Sequence, residues 1–322
     1  MNLPDLPRLP LVLAPTPLVP APRLSEILGL DVWFKRDDLT GRGLGGNKVR
    51  PLEYLLGDAK TKGCDALVTG AGPQSNWAML AALTAHGAGI APHLVFYGDP
   101  QHPTGNLLLA QLAGADIHYT GELDRGSVDP ALFKAADELT DAGHLPYVVP
   151  RGGATPIGCL GYVRATAELL AQLAETGLSP ASIWLATGSG GTQAGLVAGA
   201  QWSGWEIDVI GITTSRSPEE AASRVRDLAS ATLDLIGVGD TSIAAPQVRG
   251  GYLGEGYGKA SPAGAAAAQL VAQTEGVFLD PAFGAKAMAA LIDAARDGTV
   301  EGPVVFLVTG GAPTLFTLGA QL

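Results

Sequence analysis

The sequence predicts an α/β fold of two lobes, each a mainly parallel, twisted sheet flanked by helices. Three observations carry that expectation. Runs of β-branched and aromatic residues alternate with alanine- and leucine-rich stretches of helical period, and a strand–helix–strand rhythm builds parallel sheets. At 322 residues the chain is long enough for a large core and for more than one lobe. Four of the strand-like runs leave through glycine-rich polar loops, which is where open parallel sheets bind ligands.

The elements follow in order. Residues 31–38 (DVWFKRDD) read as a strand, and residues 49–63 (VRPLEYLLGDAKTKG) as a helix with Leu52, Leu55, Leu56 and Ala59 on one face. ALVTGAG (66–72) is a strand ending in glycine, and NWAMLAALTAHGAG (76–89) the next helix. APHLVFYG, LLLAQLAGA and DIHYT continue the alternation, and LPYVVP (145–150) is a further strand. A second series has helix 161–177, strand 182–191, helix 192–204 and strand 208–214. It closes with helices at 260–273 and 284–297 and the strand GPVVFLVTGG (302–311). PRGGATPIG (150–158) is the clearest break in composition and marks a lobe boundary. The expected division is a large lobe of residues 1–50 and 160–322 and a small lobe of residues 51–159.

Composition narrows the function. Hydrophobic residues make up 47% and charged residues 16%, which suits a well-buried enzyme rather than a disordered chain. A formal charge of −11 disfavours nucleic acid and anionic membrane surfaces as partners, yet permits one basic pocket. Cys64 and Cys159 offer neither a disulfide framework nor metal-ligand spacing, and the five histidines have no paired spacing, so no metal site is expected. The start MNLPDLPRLP lacks the pattern of a signal peptide, and no apolar run approaches the length of about 18 residues that spans a membrane. A cytoplasmic protein is expected.

Three loops carry chemistry. TGSGGTQAG (187–195) follows a strand and opens a helix, so its N–H groups form an anion cup with the Ser189 and Thr192 hydroxyls as further donors. It has no lysine for a P-loop, and Gln193 stands where a dinucleotide fingerprint needs glycine. A phosphate group or a merely tight turn both fit it. GGNKVR places Asn47 as an N-cap and Lys48 as the first helical residue, with Pro51 in the first turn. A lysine at the positive end of a helix has a depressed pKa, which suits a nucleophilic amine, although a solvated first-turn lysine fits as well. GPQSN (72–76) sets small polar side chains at a helix start, as a carboxylate receptor or a cap.

Taken together, FKRDDLTGRGLGGNKVRPLEYLL, GCDALVTGAGPQSNWAMLAALTAHG, TGSGGTQAGL, GYLGEGYG, LDPAFGAKAMAAL and VTGGAPTLF resemble one set in order and spacing, from about Leu18 to Phe316. The chain resembles the D-cysteine desulfhydrase and 1-aminocyclopropane-1-carboxylate deaminase family, pyridoxal-phosphate enzymes of the tryptophan-synthase β-like (fold type II) superfamily. The resemblance implies a homodimer, with pyridoxal 5′-phosphate in the cleft between the two lobes and a small amino acid as substrate. It implies that Lys48 holds the cofactor as a Schiff base and later moves the Cα proton. Asn76 bonds the cofactor's 3′-oxygen, and Gly188, Ser189, Gly190, Gly191 and Thr192 hold its phosphate. Thr309 faces the pyridine nitrogen, and Tyr257 is an active-site tyrosine. Gln74, Ser75, Asn76 and Phe283 surround the substrate, Ser75 taking its carboxylate. Lys48, Ser75 and Tyr257 form the implied catalytic set.

The implied reaction removes the α-proton, expels a β-substituent and hydrolyses the product to a 2-oxo acid and ammonia. Two positions separate the branches. Gly284 stands where the deaminase has a glutamate, and Thr309 offers only a neutral hydroxyl, so the electron sink is weaker and suits a good leaving group such as thiol. This favours the desulfhydrase, with D-cysteine as substrate. Phe283 replaces a tyrosine of both branches and cannot exchange a proton, so Tyr257 or Tyr252 carries that role or the substrate differs. The deaminase, eliminations of a β-sulfonate or β-hydroxy group, a racemase and a binding protein without turnover are the alternatives.

Overall fold

Hydrophobic runs bury into two sheets, and glycines end the strands where the loops must turn. The computed structural model describes residues 4–318. The chain starts with β1 (Leu18–Pro20), α1 (Pro22–Leu28) and β2 (Val32–Arg36), then the Lys48 loop and α2 (Val49–Thr61). It continues with β3 (Ala66–Ala71), α3 (Asn76–Gly87), β4 (Ala91–Phe96), α4 (Gly105–Leu112), β5 (Asp116–Tyr119), α5 (Val128–Asp141) and β6 (Pro146–Val148). After α6 (Pro156–Thr176) come β7 (Ser182–Thr187), α7 (Gly191–Ser203), β8 (Asp208–Thr213), α8 (Pro218–Leu235) and β9 (Val248–Arg249). The last elements are α9 (Pro262–Glu275), α10 (Gly284–Arg296), β10 (Val304–Val308) and α11 (Leu315–Leu318).

The larger sheet has the strand order β1-β2-β10-β7-β8-β9 and the smaller the order β5-β4-β3-β6. All pairings are parallel except β1 with β2. Phe306 of β10 lies opposite Phe34 on one side and Trp184 on the other, which fixes the register at the centre of the large sheet. Alternate residues of β10 serve opposite faces. Val304, Phe306 and Val308 pack with Met288 and Leu291 of α10, whereas Val305 and Leu307 pack with Tyr162 of α6 and Leu196 of α7. A strand covered on both faces needs an unbroken apolar run, and VVFLV is buried throughout.

Several elements differ from the sequence reading. Helix α6 begins at Pro156, ahead of the expected residue 161, because the Thr155 side chain accepts from the Gly158 N–H at 3.1 Å and proline suits the first helical position. Helix α8 is read only in the structure: Ala221, Val225, Ala229 and Leu233 recur every four residues, but half of this apolar stripe is alanine. Helix α5 buries only Val128, Leu132 and Ala136, a stripe too thin to stand out. Helix α2 begins at Val49, where the helical run in the sequence starts and one residue after the position that the capping pattern predicts, so Lys48 occupies the N-cap position. Asn47 does not cap it, for the reason given below.

A buried ion network pins the start of α2. The guanidinium of Arg50 spans Asp37 (Nε to Oδ2 2.7 Å, Nη2 to Oδ1 2.7 Å) and Glu168 of α6 (Nη2 to Oε1 2.9 Å). Lys35 also pairs with Glu168, and the Tyr162 hydroxyl donates to Asp37. Burial alone would raise the carboxyl of Asp37, but Arg50 and Lys35 hold it below its ordinary value. Arg50 thus ties the end of β2 and the middle of α6 to a point two residues from Lys48.

Candidate active site

Loops from the carboxyl ends of β3, β4, β6, β7, β8 and β10 surround a cleft of about 580 Å³. It is lined by Lys48, Gln74, Ser75, Asn76, Gly188, Ser189, Gly190, Thr192, Tyr257, Phe283 and Thr309, so residues far apart in sequence share one cavity. Gly191 does not line it. It is the first residue of α7, and a Cβ placed there would sit 3.2 Å from Ala154 Cα, so it packs behind the cup.

Two close approaches assemble the site. Gly45 has φ +76° and a Cβ there would lie 1.7 Å from the Asp38 carbonyl oxygen, so only glycine fits. Gly310 has φ +83° and its Cβ would lie 2.7 Å from Gly46 Cα, which lets the loop after β10 touch the Lys48 loop. Asn47 joins these parts: its N–H donates to the Thr309 carbonyl at 2.9 Å and its side-chain amide to Thr192 Oγ1 at 3.0 Å. That is why Asn47 is not a helix cap.

Lys48 is held without an anion. It makes no ion pair among the described residues, whereas buried Lys35 pairs with Glu168, and Lys286 donates to the Leu253 carbonyl at 2.7 Å. Burial lowers its pKa to about 8, since few charges nearby offset the lost hydration. At neutral pH roughly a tenth of such an amine is uncharged, some 300 times the fraction for an ordinary lysine.

The cup before α7 presents N–H groups. Gly190 adopts φ +90°, and the N–H groups of Ser189, Gly190, Gly191 and Thr192 have no acceptor among the described residues. They form the positive end of a helix of 13 residues. The Thr192 hydroxyl accepts from Asn47, so its own proton is free to donate.

The start of α3 faces the cup across the cleft lining. Ser75 Oγ accepts from the Ala78 N–H at 3.2 Å, which leaves the hydroxyl proton available. Asn76 Oδ1 accepts from Asn106 at 2.7 Å, so its NH₂ end is turned toward Gly311 and the cleft. Both ends of the Gln74 side chain are engaged: Nε2 donates to the Thr104 carbonyl and Oε1 accepts from the Asn106 N–H, each at 3.0 Å. The ring of Phe283 meets that of Tyr257 edge-on at 5.9 Å, and the Arg125 guanidinium stacks 3.7 Å from the Tyr257 centroid. Burial raises the Tyr257 pKa, so its hydroxyl keeps its proton. Tyr252 instead donates to Asp293 at 3.0 Å and is absent from the cleft lining.

The sequence reading did not single out Asp280, Asn106 or the arginines at 125, 151, 216 and 224. Asp280 is fully buried in the cleft wall, and burial raises its pKa to about 6. Its carboxyl caps α10, accepting from the N–H groups of Ala282 (3.1 Å), Phe283 (2.8 Å) and Gly284 (2.8 Å). In the sequence Asp280 stands in an Asp–Pro pair, a turn signal three residues ahead of the Phe283 N-cap position, and nothing local marks its burial. Arg125 and Arg151 reach the cleft from the turns before α5 and α6, Arg216 from the loop between β8 and α8, and Arg224 from α8 itself, so no single segment shows them together. Outside the cleft, His93 of β4 and Asp116 and His118 of β5 bring three ligand atoms within 4.8 Å, a grouping that linear spacing conceals.

The profile of the pyridoxal-phosphate-dependent enzyme family matches residues 9–310. The chain belongs to this family. A D-cysteine desulfhydrase of Salmonella paratyphi C is 39% identical over 324 residues, covering 98% of this chain and 97% of its own. A protein of Pyrococcus abyssi with the provisional name 1-aminocyclopropane-1-carboxylate deaminase is 38% identical over 316 residues, covering 98% and 95%. The crystal structure of an ACC deaminase homologue superposes with a TM-score of 0.92 at 37% identity, covering 99% and 97%. The fold is that of the fold type II enzymes, and the protein is a pyridoxal-phosphate-dependent lyase. The donor set fits the cofactor: an anion-free lysine, a helix-capped cup of free N–H groups and an amide held with its NH₂ inward. No helix among the described residues is long and apolar enough to cross a membrane.

Proposed function

We propose that the enzyme removes a β-substituent from a small amino acid, with D-cysteine giving pyruvate, sulfide and ammonia. The observation that carries this choice over the deaminase is the packing at position 284. Gly284 is pressed on Asp280, so a Cβ would lie 3.2 Å from Oδ2, and the Asp280 carboxyl is spent on α10. Among the described residues the cleft lining holds one further carboxylate, Asp129, and both its oxygens accept from Arg151, whereas a thiol leaves without a protonated ring nitrogen.

Pyridoxal phosphate supplies an electron sink for the pair left at the substrate Cα. Lys48 Nζ would hold the cofactor, and its amine in the uncharged form would take the Cα proton. Asn76 donates its NH₂ to the ring 3′-oxygen, a direction fixed by Asn106 on its other face. The N–H groups of residues 189–192 would hold the phosphate, and the Thr309 hydroxyl would serve the ring nitrogen. The Ser75 hydroxyl would donate a hydrogen bond to the substrate carboxylate. Gln74 shapes this side by holding the Thr104–Asn106 turn. Phe283 bounds the substrate without a hydroxyl, and Tyr252 is engaged elsewhere, so Tyr257 is the hydroxyl that protonates the departing group. The reading includes a homodimer, with residues 1–50 and 160–322 as one lobe and 51–159 as the other.

The test is a panel of D- and L-amino acids scored for 2-oxo acid and sulfide. Sulfide from D-cysteine, little from L-cysteine and none from Lys48→Ala is the expected result. Opening of 1-aminocyclopropane-1-carboxylate to 2-oxobutyrate at a comparable rate refutes the argument from position 284.

A further inference from the structure

The cleft of this acidic chain holds more positive charge than its own carboxylates match. Lys48, Arg125, Arg151, Arg216 and Arg224 line it, against Asp129 and Asp280. Asp280 is turned into the N-terminus of α10. Both oxygens of Asp129 accept from Arg151, at 2.9 and 2.6 Å. Arg216 pairs with Glu220 at 3.0 Å and gives Nη1 to the Gly188 carbonyl at 2.9 Å. Arg125 lies on the Tyr257 ring.

Arg224 is different. It projects from α8 against the cup itself, where a Cβ on Gly190 would lie 3.7 Å from Arg224 Cγ. Its Nε donates to the Ser189 carbonyl at 2.8 Å, which lays the half-buried guanidinium beside the cup. The two Nη groups have no acceptor, and the side chain forms no ion pair, among the described residues. Burial, and then the charges of Arg216 and Arg151, disfavour this cation. Asp129 offsets this only in part, and a cation held in the cavity wall against two others, next to a row of free N–H groups, fits an anion that none of the described residues supplies as an ion pair.

We propose that Arg224 is the counter-cation of the cofactor's phosphate, its free Nη groups adding charged donors to the backbone cup. A phosphate monoester is close to a dianion at neutral pH, and a guanidinium matches it better than neutral N–H groups alone. The substrate does not enter this inference.

Full-length protein stripped of cofactor is titrated with pyridoxal 5′-phosphate and, separately, with pyridoxal, which lacks the phosphate. Absorbance of the bound cofactor gives each dissociation constant. Arg224→Gln is expected to weaken the phosphate form by about 10- to 100-fold, the usual loss for a charge-assisted bond, and to leave pyridoxal unchanged. Unchanged pyridoxal binding also shows that the variant has folded. Arg224→Lys, which keeps the charge, is expected to recover most of the loss. Equal weakening of both ligands means a structural role and overturns the proposal. So does a phosphate affinity that Gln leaves unchanged, or a Lys variant as weak as Gln.

Discussion

Replacing Lys48 by methionine should stabilise the cofactor-free protein at neutral pH. Methionine keeps the length and apolar stem of lysine and removes the charge. Burial lowers the Lys48 pKa from 10.5 to about 8, a shift of about 2.5. At 1.36 kcal/mol per unit, the charged amine costs the fold up to about 3 kcal/mol. Lys48 also faces the open cleft, where water screens its charge, so a gain of about 1–2 kcal/mol is expected. The sign follows from proton counts. Between pH 8 and 10.5 the unfolded chain binds more protons at this position than the folded one, so wild-type stability rises with pH across that window. Below it the full cost is present. Urea denaturation of stripped wild type and Lys48→Met at pH 7 and at pH 10 measures the difference. The variant should be the more stable at pH 7, with most of its advantage gone at pH 10. Equal stability at pH 7, or an advantage that does not shrink with pH, refutes the account of a desolvated, unpaired amine.

Two further substitutions probe the supports of the site. Arg50→Met removes the cation from the network of Asp37, Glu168 and Lys35 and should cost about 3–5 kcal/mol by chemical denaturation, because buried carboxylates lose their partner. The Asp37 and Glu168 carboxyls are both held low in the wild type, so their contribution is present at neutral pH and is lost as pH falls through the acid range. Gly284→Glu puts a Cβ 3.2 Å from Asp280 Oδ2 and a second acid beside a buried one. It should destabilise by about 1–3 kcal/mol and move the Asp280 titration above its present value of about 6. Gly284→Ala separates the steric part from the charge.

The alternation of strand and helix, the parallel sheets and the four glycine-rich loops were legible because each depends on local pattern. A run such as VVFLV can only be a strand buried on both faces, and a glycine after it ends the strand. The candidate site was legible for the same reason: Lys48, the Ser75–Asn76 pair and the cup at residues 188–192 all sit in loops with their own signatures. Helix α8 was not, because every second member of its stripe of Ala221, Val225, Ala229 and Leu233 is an alanine, which contributes little hydrophobic contrast. Asn47 looked like a cap, and only the approach of Thr192 and Thr309 from distant loops gave its side chain and N–H other partners.

The sequence by itself determined that a lysine stands at a helix start and that a glycine-rich loop opens another helix, since both are properties of short segments. Tertiary structure decided the state of that lysine. Its depressed pKa comes from burial, which no ion pair among the described residues offsets: Asp37 and Glu168 pair with Arg50, Asp280 caps the start of α10 and Asp129 pairs with Arg151. Charge pairing is a matter of distance in space, and no sequence spacing records it.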